Sequence, residues 1–247
     1  MTALLPMAAT VGIILAAAAV RGYSGFGFAL IGVAGLSIVS APAVAVPTVL
    51  VLELLVGLLL LPPVWGQISW RPVSALLAGA VLLTPVGALF LIHVPADIAR
   101  LGIALAVGAA ALLLIFANQT LVEPSRGATL ATGGIAGLLN GAFGISGPPI
   151  VLYFLGTNRG AAISRASMMA CFLVLDAIAV ASFAVGGLIS RQVIVAVAIC
   201  LPALALGSLL GHRAFHRSDG TRFRTRMLWM LCALAITTGI EGALALL

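Results

Sequence analysis

The stretch Asn140-Gly141-Ala142-Phe143-Gly144-Ile145-Ser146-Gly147-Pro148-Pro149 breaks into a run of otherwise apolar residues. Its three glycines lower helix propensity and permit positive φ. Its two prolines remove backbone donors. In lipid, unwound backbone is tolerated only where it is buried in protein or lines a cavity. The stretch therefore predicts an interrupted helix at membrane depth. A helix that restarts after such a break presents free N–H groups and the positive end of its dipole, which suits an anion. A kink or a tight helix crossing is the alternative reading.

A second break of the same kind lies upstream, at Arg21-Gly22-Tyr23-Ser24-Gly25-Phe26-Gly27. Gly25-Phe26-Gly27 aligns with Ala142-Phe143-Gly144 at an offset of 117. Gly66-Gln67-Ile68-Ser69 aligns with Gly187-Leu188-Ile189-Ser190 at 121, and His93 with His212 at 119. Matches in the same order along both halves indicate duplication, with repeats over 1–124 and 125–247 forming one membrane domain. Transporters built this way hold substrate near the midplane, between interrupted helices.

The composition agrees. Of 247 residues, 63% are hydrophobic and 7% charged, and mean hydropathy is +1.28. Soluble domains carry about 25% charged residues. A soluble enzyme, a disordered chain and a disulfide-rich secreted module are excluded. Twenty-eight glycines favour close helix packing in a bilayer. Apolar runs predict helices near 3–20, up to 40, 44–63, 72–92, 98–117, 128–139, up to 156, 163–187, 192–211 and 226–246. The fold class is an all-α integral membrane protein of two repeats, each opening with a broken or re-entrant Gly-rich segment.

All twelve basic residues are arginine, and the net charge is +6. They fall in gaps between apolar runs without interleaved aromatics, so nucleic acid is not the partner. Arg213, Arg217, Arg222, Arg224 and Arg226 crowd one loop, which predicts that 213–226 is cytoplasmic and the C-terminus outside. If each broken segment returns to its own side, nine arginines face the cytoplasm and two the outside, and the halves are inverted. If the segments cross, the division is eight to three and the halves are parallel. No cofactor or metal is expected: Cys171, Cys200 and Cys232 are isolated, with no C-x-x-C pair. The partners are the bilayer and a small anion. Gly/Ala-rich faces also allow a homodimer.

The candidate substrate residues are those at the two breaks. Arg21, Ser24, Asn140 and Ser146 offer donors to an oxyanion. Gly25, Gly27, Gly141, Gly144, Gly147 and Pro148 shape the backbone around it, and Tyr23, Phe26 and Phe143 wall the remainder. Arg21 reads equally as an interfacial anchor. Glu53 and Asp176 lie inside long apolar helices, so each is a functional candidate by default. Either one couples a proton, or they form structural ion pairs with Arg21 or Arg165. Uncoupled movement down the membrane potential is also open. Gly144-Ile145-Ser146-Gly147 matches the G-x-S-G of rhomboid intramembrane proteases, with His212 as the base. That reading needs both residues at one depth, whereas His212 adjoins the arginine-rich loop. A non-transporting assembly protein is the third alternative.

The glycine stretches resemble those of the TauE/SafE family of membrane permeases, described as sulfite exporters. Arg21 to Gly27 is similar to the family's first Gly-rich stretch, and Gly137 to Pro149 to its second. Ser69-Trp70-Arg71 and Ser190-Arg191 resemble the turn that introduces the third helix of each half. The chain departs at Ile145-Ser146-Gly147-Pro148, where the family runs Gly-Gly-Gly before proline. It departs again at Phe28-Ala29-Leu30, with no proline until Pro42. The resemblance implies a bacterial inner-membrane carrier, not an enzyme, for sulfite or organosulfonates such as sulfoacetate. Most members move them out of the cytoplasm and some move them in.

Overall fold

The computed structural model describes residues 4–116, 124–157 and 159–216. The predicted helix at 226–246, most of the loop 213–226, the C-terminus and the side chain of Ser24 lie outside the described residues. The described residues fold into α1 (Leu4–Ser24), α2 (Phe28–Val39), α3 (Pro42–Leu60), α4 (Trp70–His93), α5 (Ala96–Phe116), α6 (Arg126–Phe143), α7 (Gly147–Leu155), α8 (Ala161–Val185) and α9 (Arg191–His216). A 3-10 turn at Pro62–Gln67 joins α3 to α4. Among the described residues, four helices are long and apolar enough to cross a membrane: Pro42–Leu60, Trp70–His93, Ala161–Val185 and Arg191–Ala214. The chain is a multi-pass membrane protein, and the described residues are all-α.

The non-helical gaps are narrower than the sequence reading set them. Arg21 to Ser24 complete α1, and Asn140 to Phe143 complete α6. Within the two breaks the chain leaves helix only at Gly25–Gly27 and at Gly144–Ser146. Three glycines in these gaps hold left-handed backbone: Gly25 at φ 83°, Gly27 at 90° and Gly144 at 70°. A Cβ would be strained there; α1 ends before Gly25 and α6 before Gly144, while Gly27 caps the start of α2. Pro148 and Pro149 lie in the first turn of α7, where an N–H has no helical acceptor to lose.

Each interrupted pair turns back on itself. Met7 and Thr10 of α1 line one cavity together with Leu36, Val39 and Ser40 at the end of α2. Val44 of α3 and Arg191 of α9 line the same cavity, so these helix ends share a face of the molecule. On the second pair, Thr129 near the start of α6 hydrogen-bonds Tyr153 near the end of α7, at 3.3 Å. Ser69 and Arg71, at the start of α4, border the cavity beside them. The N–H of Ser69 donates to Ser167 Oγ of α8 at 2.9 Å, which brings the start of α8 to this second face. The 19 residues of α3 separate the two faces by about 28 Å.

The tightest packing is between helices distant in sequence. In α6, Gly133, Gly137 and Gly141 recur every fourth residue and face α4. A Cβ on Gly133 would overlap the carbonyl oxygen of Leu76, and one on Gly141 that of Thr84. Gly79 and Gly87 of α4 face the carbonyls of Leu130 and Leu138 in return. In the same way Gly207 and Gly211 of α9 meet the carbonyls of Leu15 and Ala19 in α1, and Gly22 meets that of Ser208. Both pairs run parallel, backbone against backbone, as small-residue stripes do in bilayers. The α3 helix packs on α8 and α9, and α4 on α8.

Candidate functional site

The two gaps meet. A small closed cavity, with room for about one water, is lined by Gly27, Ala29 and Leu30 at the start of α2 and by Ile145, Ser146 and Gly147 at the start of α7. Glu53 and Phe172 complete it. Gly144 lies against Val33, Val46 and Leu50, and Gly147 against Leu30, so small residues bring the two strings of backbone together. Two helix N-termini thus open on one buried point. At α7 the two prolines leave the Gly147 N–H as the free donor of the first turn, and the two helix dipoles add there in a low-dielectric setting.

A cluster of buried charge surrounds this point. Arg21 is 0% exposed, Glu53 4%, Asp176 0% and Arg165 3%. Arg21 Nη1 donates to Glu53 Oε1. The Arg21 guanidinium also lies over the Phe172 ring, 5.6 Å from its centroid, within cation–π range. Gly57 follows Glu53 by one turn, and a Cβ there would press on Leu173 at 3.0 Å while only touching Arg21 Nη2. Asn140 Nδ2 donates to Asp176 Oδ1 at 3.2 Å, tying α6 to α8. Arg165 Nη2 donates to the carbonyl of Gly22 at 2.8 Å, tying α8 to the last turn of α1. Its aliphatic stem lies 2.7 Å from where a Gly25 Cβ would stand. Asp176 is within electrostatic reach of both Glu53 and Arg21. Two cations and two anions make the cluster formally neutral, which is how buried charge is tolerated. Arg21 Nε and Nη2, Asn140 Oδ1 and Asp176 Oδ2 have no hydrogen-bond partner among the described residues.

Of the residues singled out in sequence, Gly27, Ser146, Gly147 and Glu53 line the cavity. Arg21, Asn140, Asp176 and Arg165 form the charge cluster around it. Gly25 and Gly144 set the turns, and Pro148 is buried in the first turn of α7. Others are placed elsewhere. Gly141 belongs to the α4–α6 crossing. Phe143 stacks edge-on against Phe90 of α4, centroids 5.7 Å apart, and lies against Gly102 of α5. Phe26 is buried in an apolar core with Val151 and Met168. Tyr23 is half-buried beside Gly211 of α9. The aromatic wall of the cavity is instead Phe172, which the sequence reading did not name. Its signal was present: Arg165, Phe172 and Asp176 stand at i, i+7 and i+11 of α8, one helical face.

The protease geometry is absent among the described residues. Ser146 lies at the start of α7 on the buried cavity, whereas His212 belongs to α9 and packs near Gly22. A serine nucleophile needs its base within hydrogen-bond reach.

The family model described as Sulfite exporter TauE/SafE matches residues 10–238. A probable sulfite/organosulfonate exporter TauE from Cupriavidus necator is 30% identical over 160 residues. That match takes in 62% of this chain and 61% of the relative, so the chain spans about three-fifths of the curated protein it matches. No solved structure matches. Members of the matched family are transporters, not enzymes. On a match running through nearly its whole length, the chain belongs to the TauE/SafE sulfite exporter family.

Proposed function

We propose that the chain exports a small oxyanion, sulfite or an organosulfonate such as sulfoacetate, by alternating access around the cavity where α2 and α7 begin. One observation carries this: two helix N-termini open on one buried point beside an arginine with spare donors. A sulfonate oxygen takes backbone N–H bonds at Gly27 and Gly147 and the Ser146 hydroxyl, while Arg21 neutralises the charge. The relative's name, a probable sulfite/organosulfonate exporter, supports the substrate class.

The helix pairings support inverted repeats. Matching α1 to α6 and α4 to α9 turns the α1–α9 pair into the α6–α4 pair, and the α3–α9 contact into the α8–α4 contact. The α1–α2 hairpin enters from one face and α6–α7 from the other. Arg71, Arg126, Arg159 and Arg213 go with the α6–α7 face, against Arg100 and Arg191 opposite. The positive-inside rule makes the first group cytoplasmic in a bacterial inner membrane. Access then alternates as one hairpin or the other moves off the cavity.

An arriving anion adds negative charge to a neutral cluster. A proton on Glu53 or Asp176 restores the balance, so coupling to protons follows from the same geometry.

Thermal melting of the detergent-purified protein tests the site. Sulfite, sulfate, thiosulfate, sulfoacetate, taurine, an aryl sulfonate and a carboxylate are titrated. A saturable rise in Tm is expected with sulfite or sulfonates, since a ligand of the folded state must stabilise it. It should be lost in Ser146→Ala. In proteoliposomes, Asp176→Asn should lose pH-driven flux while still binding anion. A Ser146→Ala protein that binds and transports like the wild type would overturn the site; absence of any anion response in the wild type would overturn the function.

A further inference from the structure

The buried cavity where α2 and α7 begin is walled by side chains from two different apolar cores. Ala29, Leu30 and Ile145 belong to one core, shared with α1, α3 and α9. Phe172 belongs to the other, with Ile68 and Tyr153 at the face where α4 starts and α7 ends. Its ring therefore closes the cavity on the side of that face. Phe172 is 1% exposed and is the bulkiest side chain in the described lining. On α8 it stands between Arg165 and Asp176 on one helical face, a phenyl ring set in a row of buried charge.

The ring has a second contact. The Arg21 guanidinium lies over it, and Glu53, which accepts from Arg21, lines the cavity as well. Arg21 itself is outside the described lining, so Glu53 and Phe172 stand between the cavity and the spare donors Nε and Nη2. The space left holds about one water, too little for a sulfur bearing three oxygens. Room has to come from a side chain. Gly27, Ala29 and Gly147 have nothing larger than a methyl to withdraw, and Leu30 and Ile145 are smaller than the phenyl. Tilting the phenyl frees the most space and uncovers the arginine in the same movement.

We propose that Phe172 is the specificity-determining residue of this site. Its ring occupies the place that an organic substituent on the anion would need, so the chain selects compact oxyanions such as sulfite over aryl sulfonates. This selection rests on the anion site proposed above. An anion that fits exchanges partners with the ring: Arg21 gives up a cation–π contact and gains a charge-assisted hydrogen bond. A small tilt makes room for a head group, but the packed core behind Phe172 leaves none for a second ring.

The test is calorimetric titration of the detergent-purified full-length protein with sulfite and with benzenesulfonate, for wild type, Phe172→Leu and Phe172→Ala. Wild type is expected to bind sulfite and to bind benzenesulfonate roughly tenfold or more weakly. Phe172→Ala vacates the volume of a phenyl ring, and an apolar cavity of that size accepts an aromatic guest. Benzenesulfonate should therefore tighten in Phe172→Ala by roughly tenfold or more, while sulfite gains nothing. Phe172→Leu should move the same ratio in the same direction by less, and it decides the matter if Phe172→Ala does not fold. A merely structural phenylalanine would weaken both anions alike, so the ratio between them is the readout. Wild type that binds benzenesulfonate as well as sulfite overturns the proposal. So does an unchanged ratio in variants that still melt cooperatively; in both cases sulfite binding leaves the anion site standing. Wild type that binds neither anion overturns the anion site and this selection with it.

Discussion

Arg21 is 0% exposed and its charge is answered by Glu53, thirty-two residues later in the chain. Taking away either partner leaves the other buried and uncompensated. Glu53→Ala and Arg21→Ala should each cost about 3–5 kcal/mol, whereas Arg21→Met with Glu53→Leu should recover most of that loss. Detergent melts of the three proteins check it. The double variant should still transport nothing, because the apolar pair refills space without supplying charge. A double variant that melts as low as the singles would mean that the pair is not what holds α1 to α3. At this scale the sequence was informative but ambiguous. Glu53 and Asp176 stood out because carboxylates are rare in apolar helices. Which arginine answers each was not readable, since partners fixed by tertiary packing leave no spacing pattern. Asn140 was legible as polar at the break, but its bond to Asp176 depends on how α6 lies against α8.

Helices α4 and α6 show how one residue type carries two meanings. Glycine at Gly25, Gly27 and Gly144 allows a positive φ, ending α1 and α6 and capping the start of α2. Glycine at Gly133, Gly137 and Gly141 is ordinary helix, and what matters is the missing Cβ. Reading Gly141 as part of the break followed from its neighbours, while the four-residue stripe behind it went unused. For the same reason the breaks were set too wide: helix continues until a residue is forced out of it. Gly133→Ala should destabilise by about 1–3 kcal/mol through overpacking against Leu76. Gly127→Ala, where a Cβ meets nothing within 4 Å, should change Tm little. Equal Tm losses for both would show that the stripe is not a close crossing.

Across the whole molecule, the positions of helix ends give a prediction about sidedness. Single cysteines replacing Ser74 and Gly127 should label with a membrane-impermeant maleimide from the cytoplasmic side, in a background lacking native cysteines. Cysteines replacing Ser40 and Gln192 should label only from the opposite side. Ser40 reacting together with Gly127 would rule out hairpins that enter from opposite faces. The apolar runs of the described helices were readable from hydropathy. Arginine counting does not choose between inverted and parallel halves, because moving a few arginines barely changes the charge count. The cavity lined by Arg71, Arg126 and Arg159 was not legible for a related reason: each reads as a loop anchor when seen alone, and only the fold gathers them.

The crossed pairing of α1 with α9 and of α6 with α4 has a bearing on how the protein is made. Chain emerges from the ribosome N-terminus first. When α1 enters the bilayer, the helix whose backbone it must touch is still untranslated, almost 170 residues away. Helix α4 waits in the same manner for α6. Each glycine groove therefore spends part of synthesis facing lipid, or an insertion factor, in place of its mate. The groove of α1 is filled only when α9 closes over the first helix to have been inserted.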